Sequence, residues 1–218
     1  ALIKNLPPAF RKRVEAVGYD TDPEAIRIAS QRLRQDFPDL DVRLEQKDFL
    51  EHVLNLQGGG DLFSAGEVQE PFHLVIANPP YVRTQIMGAQ QAQQLAQSFG
   101  LTGRVDLYYP FLLGISQVLA DDGVTGVITS NRFMTTKSGQ AVRRAMLSRF
   151  RILHAWDLGD TNLFDAAVLP SVLLARGTPD SQHPHTNGIA YSSIYETNDT
   201  AIAEAEDVLS ALNADNDT

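Results

Sequence analysis

Short apolar runs that stop at acids, prolines or glycines, each followed by a stretch of helical periodicity, recur along this chain at intervals of about 30 residues, and this alternation constrains the fold most. Residues 14–19 (VEAVGY) form the first run. Asp20, Thr21, Asp22 and Pro23 close it, and proline at a first helical turn then opens EAIRIASQRLRQ, where Ile26, Ala29, Leu33 and Phe37 share one face. Residues 42–46 predict a second strand, followed by Lys47, Asp48 and Phe49 and by a loop over 57–70 loosened by Gly58, Gly59 and Gly60. Residues 72–77 (FHLVIA) are apolar almost throughout, as in a strand buried on both faces of a parallel sheet, and stop at Asn78-Pro79-Pro80-Tyr81. Beyond them, the Gln-rich residues 87–103 carry little pattern and predict a mobile segment.

Residues 106–120 predict a helix with Leu107, Phe111, Leu112, Ile115 and Leu119 on its apolar side, turned by Asp121-Asp122-Gly123 into a strand over 124–129. A helix over 139–150, strands over 152–156, 171–175 and 189–194, and a helix over 201–212 complete the series. Strands alternating with helices imply an α/β fold, a Rossmann-like doubly wound and mostly parallel sheet whose ligands gather beyond the carboxyl ends of the strands.

With 218 residues, 43% of them apolar, the chain suits one compact domain. No apolar run is long enough for a membrane span and the first residues lack a signal peptide's apolar centre, so a cytoplasmic protein with no membrane partner is expected. There is no cysteine and the five histidines show no ligand spacing, so no metal is expected. The net charge of −9 weighs against an extended nucleic-acid surface, yet it is uneven. Seven acids and no Lys or Arg occupy residues 196–218, whereas Arg132, Lys137, Arg143, Arg144, Arg149 and Arg151 crowd one stretch, either as a basic face or as a solvated helix surface.

Asp20 follows the first strand, where an acid can accept from a ribose diol or can serve as a helix cap. Asp48 follows the second strand beside Phe49. An acceptor for an exocyclic amine next to a stacking ring makes an adenine pocket, and a plain turn acid is the alternative. Asn78-Pro79-Pro80-Tyr81 is far more specific, because two consecutive prolines fix two φ angles, remove two donors and extend the residues before them. The Asn78 carboxamide and nearby carbonyls then become outward acceptors for one NH₂ group, and the Tyr81 ring is suited to stack on a base.

A strand followed by NPPY resembles the catalytic motif of amino-group methyltransferases. FHLVIANPPYVRTQ with GRVDLYYPFLLGISQVLADDGVTGVITSNRFMTTKSGQAVRRAML is similar to the N6-adenine-specific DNA methyltransferases of the type IIG restriction-modification group. The resemblance, over about residues 14–177, implies S-adenosyl-L-methionine as cofactor, with Asp20 on its ribose, Asp48 and Phe49 around its adenine, and Tyr108 and Phe111 along its methionine side. It implies that Asn78 and the Pro79 carbonyl, on the ledge completed by Pro80, hold the target amine, that Tyr81 stacks on the target base, and that Phe164 packs against it. The implied partner is double-stranded DNA with a flipped adenine, together with a fused or associated nuclease and specificity domain.

The chain departs from that family in lacking the glycine-rich loop after a first strand. A fragment is therefore expected, with residues 1–178 as an N-terminally truncated catalytic core and residues 179–218 as an acidic linker bearing a short strand and helix. In this fold the absent strand lies between those ending near Tyr19 and Ala77, so direct pairing of these two, or filling of the gap from elsewhere, is expected, with the fragment itself inactive. Alternatives are a protein glutamine N5-methyltransferase, an RNA adenine methyltransferase, and a non-catalytic interaction module.

Overall fold

A computed structural model describes residues 2–57, 70–80, 89–101, 106–159, 169–178 and 188–194. Contacts divide the chain into two compact units, residues 1–68 and 69–218, where composition alone suggested one. The backbone ladders explain the division, since each unit closes its own sheet and no ladder joins them among the described residues.

The first unit runs α1 (Leu2–Asn5), α2 (Pro8–Arg11), β1 (Glu15–Asp20), α3 (Pro23–Asp36), β2 (Asp41–Gln46) and α4 (Phe49–Gln57). Strands β1 and β2 pair in parallel, Glu15 opposite Asp41 through Asp20 opposite Gln46, which brings their carboxyl ends level. α3 begins where the sequence signals it: Pro23 stands in the first turn and the Asp22 side chain accepts from Glu24 N at 2.8 Å. α4 was not expected from sequence, although its cap is a residue type that favours helix starts: Asp48 Oδ1 accepts from the backbone N–H of Leu50 at 2.8 Å and of Glu51 at 3.2 Å. Leu50 and Val53 of that helix are buried.

The second unit contains β3 (Phe72–Ala77), α5 (Ala89–Ser98), α6 (Tyr108–Val118), β4 (Leu119–Ser130), α7 (Arg132–Thr135), α8 (Gln140–Arg149), β5 (Phe150–Asp157), β6 (Pro170–Gly177) and β7 (Ala190–Ser193). The sheet order is β3-β4-β6-β5-β7. β3 with β4 and β5 with β7 are parallel, whereas β6 lies antiparallel to both β4 and β5. The result is a mixed, mostly parallel α/β sheet. α6 is buried along nearly its whole surface, and Leu112, Leu113 and Ile115 pack it into the core with Val127, Val142, Phe150 and Ala175.

Several expectations are corrected here. β1 and β3 do not pair but belong to separate sheets. Among the described residues β3 is an edge strand with one ladder, and Leu74 and Ile76 on one of its faces are 46% and 67% exposed, so it is not buried on both faces. The segment 87–103 contains α5, anchored by buried Ala96, Phe99 and Leu101; its polar glutamines mask a helix held by a few small and apolar contacts. Asp121-Asp122-Gly123 does not separate α6 from β4 but bulges within β4, where the register to β3 shifts and Asp122 takes a left-handed φ of 61°. The expected helix over 201–212 and the loop centre over 58–69 lie outside the described residues. No described helix is long and apolar enough to cross a membrane.

Gly177 closes β6 against β4: a Cβ built there meets the Ala120 carbonyl oxygen at 2.5 Å. Backbone is less able than side chain to give way, so Gly177→Ala is expected to destabilise the second unit by about 1–3 kcal/mol, read as a lower urea midpoint at unchanged slope. An unchanged midpoint would mean that the two strands separate freely at this end.

Candidate active site

In the first unit the level ends of β1 and β2 place Asp20 and Asp48 at the same sheet edge. The loops are tied together: Lys47 N donates to the Asp20 carbonyl at 2.9 Å and Gln46 Nε2 to the Thr21 carbonyl at 3.3 Å. Asp20 Oδ1 accepts from Asp22 N at 2.8 Å, so both carboxylates serve the local turns that composition allowed for them. Each commits one oxygen to backbone, and both side chains are exposed. Beside them Tyr19, Phe49 and His52 form an aromatic group. The Tyr19 ring lies 4.9 Å from His52 and 6.2 Å from Phe49, and Tyr19 Oη is hydrogen-bonded to His52 Nε2 at 3.3 Å. His52 is buried and carried no sequence signal; its place on the first turn of a helix capped by Asp48 brings it under Tyr19.

In the second unit β3, β4, β5 and β7 all end at one edge, because β6 alone runs the other way. Asn78 leaves the end of β3 with its side chain exposed, Pro79 is buried, and Pro80 is exposed. This is the arrangement of a ledge pinned by its first proline. Tyr81 and Phe164 lie outside the described residues. The expected cofactor-side pair divides: Phe111 is half-buried, whereas Tyr108 is fully buried, edge-on to Tyr109 at 4.6 Å and to Phe133 at 6.5 Å. The Tyr108 ring is therefore a wall of the core beneath the sheet edge.

Sequence reasoning missed the polar centre of this edge, Asp157. It is buried at the end of β5, and its Oδ1 accepts from Asn131 Nδ2 at 2.8 Å and from Gly159 N at 3.1 Å, while the Tyr191 hydroxyl donates to Oδ2 at 3.4 Å. Gly159 takes a φ of 53° there, which glycine adopts without strain. The available signal was an acid closing an apolar strand two residues before a glycine.

The sequence profile of the Eco57I restriction-modification methylases matches residues 15–164. The chain belongs to that family. It is 40% identical over 192 residues to the type II methyltransferase M.BanIII of Aneurinibacillus aneurinilyticus, covering 88% of this chain and 33% of the relative. It is 33% identical over 133 residues to the type II methyltransferase M.XhoI of Xanthomonas vasicola, covering 59% of this chain and 24% of that protein. The chain thus spans about a third or less of the length of these curated relatives. Among solved structures, the type IIG restriction endonuclease BpuSI superposes with a TM-score of 0.54 at 19% identity, over 74% of this chain and 19% of that one. A candidate class I S-adenosylmethionine-dependent methyltransferase of Listeria monocytogenes superposes at 0.62 and 17% identity, over 93% and 54%. These likenesses establish the fold.

Membership of a methylase family, on this fold, implies S-adenosylmethionine as methyl donor. The residues present fit it: Asp20 and Asp48 offer exposed carboxylate at a shared sheet edge, next to the half-buried ring of Phe49.

The edge of the larger sheet also carries a titratable group, Tyr108. Burial raises the Tyr108 pKa well above its ordinary 10.0, with Tyr109 beside it adding to the effect. Below pH 10 the folded and unfolded chains both hold this proton; above it only the unfolded chain releases it, so stability is lost as pH rises from there. Tyr108→Phe is expected to make the fall in urea midpoint above pH 10 shallower than in the parent. An equally steep fall would show that the Tyr108 phenol ionises freely in the folded protein.

Proposed function

We propose that the chain is part of the catalytic core of a restriction-modification DNA methyltransferase that transfers the methyl group of S-adenosylmethionine to the exocyclic N6 amine of adenine. The observation that carries this reading is the Asn78-Pro79-Pro80 ledge at the carboxyl end of β3, in a chain of the Eco57I methylase family. Family membership favours DNA over a glutamine side chain or RNA as the methyl acceptor, and over a module without catalysis.

S-adenosylmethionine supplies an electrophilic methyl group on a sulfonium. Asp20 would accept from its ribose hydroxyls, Asp48 and Phe49 would hold its adenine, and Phe111 would flank its methionine side, while Tyr108, expected beside Phe111, is buried in the core and has no surface to offer it. The target amine is a poor nucleophile because its lone pair is delocalised into the ring. Asn78 Oδ1 and the Pro79 carbonyl would accept hydrogen bonds from its two N–H groups, which favours the pyramidal nitrogen and stabilises the positive charge that develops on it. Tyr81 and Phe164 stack on the flipped base and offset the few kcal/mol of extrusion. No covalent enzyme intermediate is needed, and positioning supplies much of the rate. Residues 1–178 serve as the catalytic core and residues 179–218 lead toward a DNA-recognition domain, with double-stranded DNA and a fused or associated nuclease or specificity domain as partners.

In the full-length protein, Asn78→Ala is expected to lower methylation by about a hundredfold or more while S-adenosylmethionine affinity stays within a few-fold. Turnover near that of the parent on its own DNA would remove the ledge from the mechanism. Tyr81→Ala should weaken capture of the extruded base by about 1–3 kcal/mol through lost stacking. The fluorescence of 2-aminopurine at the target position reports this, and an enhancement equal to the parent's would place Tyr81 outside the base pocket.

A further inference from the structure

Six of the chain's 18 Lys and Arg residues, and none of its 27 Asp and Glu, fall between positions 123 and 156. The path of the backbone decides whether these cations make one surface. β4 and β5 are both antiparallel to β6 and therefore run the same way, so α7 and α8 carry the chain from the edge where β4 ends to the opposite edge, where β5 begins. The 10 residues of α8 span about 15 Å of that return. The cations separate accordingly. Arg132 opens α7 directly after β4 and Lys137 sits in the turn before α8, both exposed at the edge that carries Asn78, whose strand β3 is the neighbour of β4. Arg144 follows in the first half of α8, exposed, on a Cα–Cβ bond tilted back toward that edge as in any helix. Arg143 is used internally: its Nη1 donates to the carbonyls of Phe133 and Thr136, the latter at 3.0 Å, and clamps α7 and the turn onto α8. Arg149 and Arg151 lie at the far end, where α8 gives way to β5.

The edge cations stand on a braced support. Thr136 Oγ1 donates to the Arg132 carbonyl at 2.7 Å and accepts from Gly139 N at 3.2 Å, and the turn packs so closely on α7 that a Cβ at Gly139 would stand 2.8 Å from the Phe133 Cα. None of Arg132, Lys137 and Arg144 forms an ion pair among the described residues. Asp157, the acid that ends the stretch, is buried and bonded, so it does not neutralise them. The three cations are spread over α7, the turn and α8, which suits a polyanion with charges repeated along a line. We propose, on the reading of the chain as a DNA methyltransferase core, that Arg132, Lys137 and Arg144 hold the phosphate backbone of the duplex beside the Asn78-Pro79-Pro80 ledge, and that Arg149 and Arg151 do not touch it. Contacts to phosphate fix the register of a protein on DNA without reading its sequence. They also give a chain of net charge −9 a local means of approaching a polyanion.

In the full-length protein, Arg132→Gln with Lys137→Gln removes two positive charges from the edge, and Arg149→Gln with Arg151→Gln removes two from the far end, so the variants differ only in place. Each lost phosphate contact lowers the slope of log Kd against log salt concentration by about 0.9. The edge pair is expected to lower that slope by about one to two and to weaken cognate and unrelated duplexes alike, whereas the far pair keeps the parent's slope. Arg132→Lys with Lys137→Arg retains both charges and is expected to keep it too. An unchanged slope in the edge pair, or an equal fall in the far pair, in a parent that binds and methylates its DNA, would overturn this surface and leave the methyltransferase reading standing. A parent that binds and methylates no duplex would overturn both.

Discussion

Strand β6 is hydrogen-bonded on both sides, and the polar edge of the larger sheet exists because that strand runs against its neighbours. Four strands end at the edge while β6 begins there, so carbonyls of its first residues are available to the loops leaving the others. The Leu169 carbonyl takes Asn131 N at 2.9 Å and the Pro170 carbonyl takes Leu158 N at 3.0 Å. With both loops held, Asn131 and Asp157 meet, and a buried carboxylate becomes tolerable because each oxygen has a donor. A parallel strand in the same place would bring its own exit loop and no such backbone acceptors.

The first unit uses carboxylates differently. Asp20 and Asp48 are exposed, and each holds a turn with one oxygen. Structural and binding duties therefore do not exclude one another. The turn bond fixes the rotamer, and a fixed rotamer presents the remaining oxygen to a ligand at little entropic cost. Of the two roles open for these residues from sequence, the hydrogen bonds show the turn role, and that role is compatible with the cofactor contact proposed for them.

Legibility followed the range of the interactions. α3 was visible because its cap, its proline and its apolar spacing lie within a few residues, and β4 to β6 because apolar runs bounded by turns need no distant partner to be noticed. The ledge after β3 was visible because two prolines restrict the backbone on their own. α5 was hidden by glutamines whose helix depends on Ala96, Phe99 and Leu101 finding a core. The exposure of Leu74 and Ile76 was hidden because an edge strand and a central strand share one apolar composition, and only the ladder count tells them apart. Asp157 was hidden because its donors come from positions 131, 159 and 191, two of them far away in sequence.

The order of the strands also sets a timetable for folding. Of the four ladders described in the larger sheet, β5 with β6 joins the strands separated by the shortest connection, so it closes the smallest loop and loses least chain entropy. β4 can add to β6 once that pair exists, and β3 can join only across α5 and α6, the longest excursion in the sheet. Contacts of such separation form late and slow the folding of mixed sheets. The Asn78-Pro79-Pro80 ledge, carried by β3, is therefore assembled after the polar edge it adjoins and is among the first elements to be released when the protein begins to unfold.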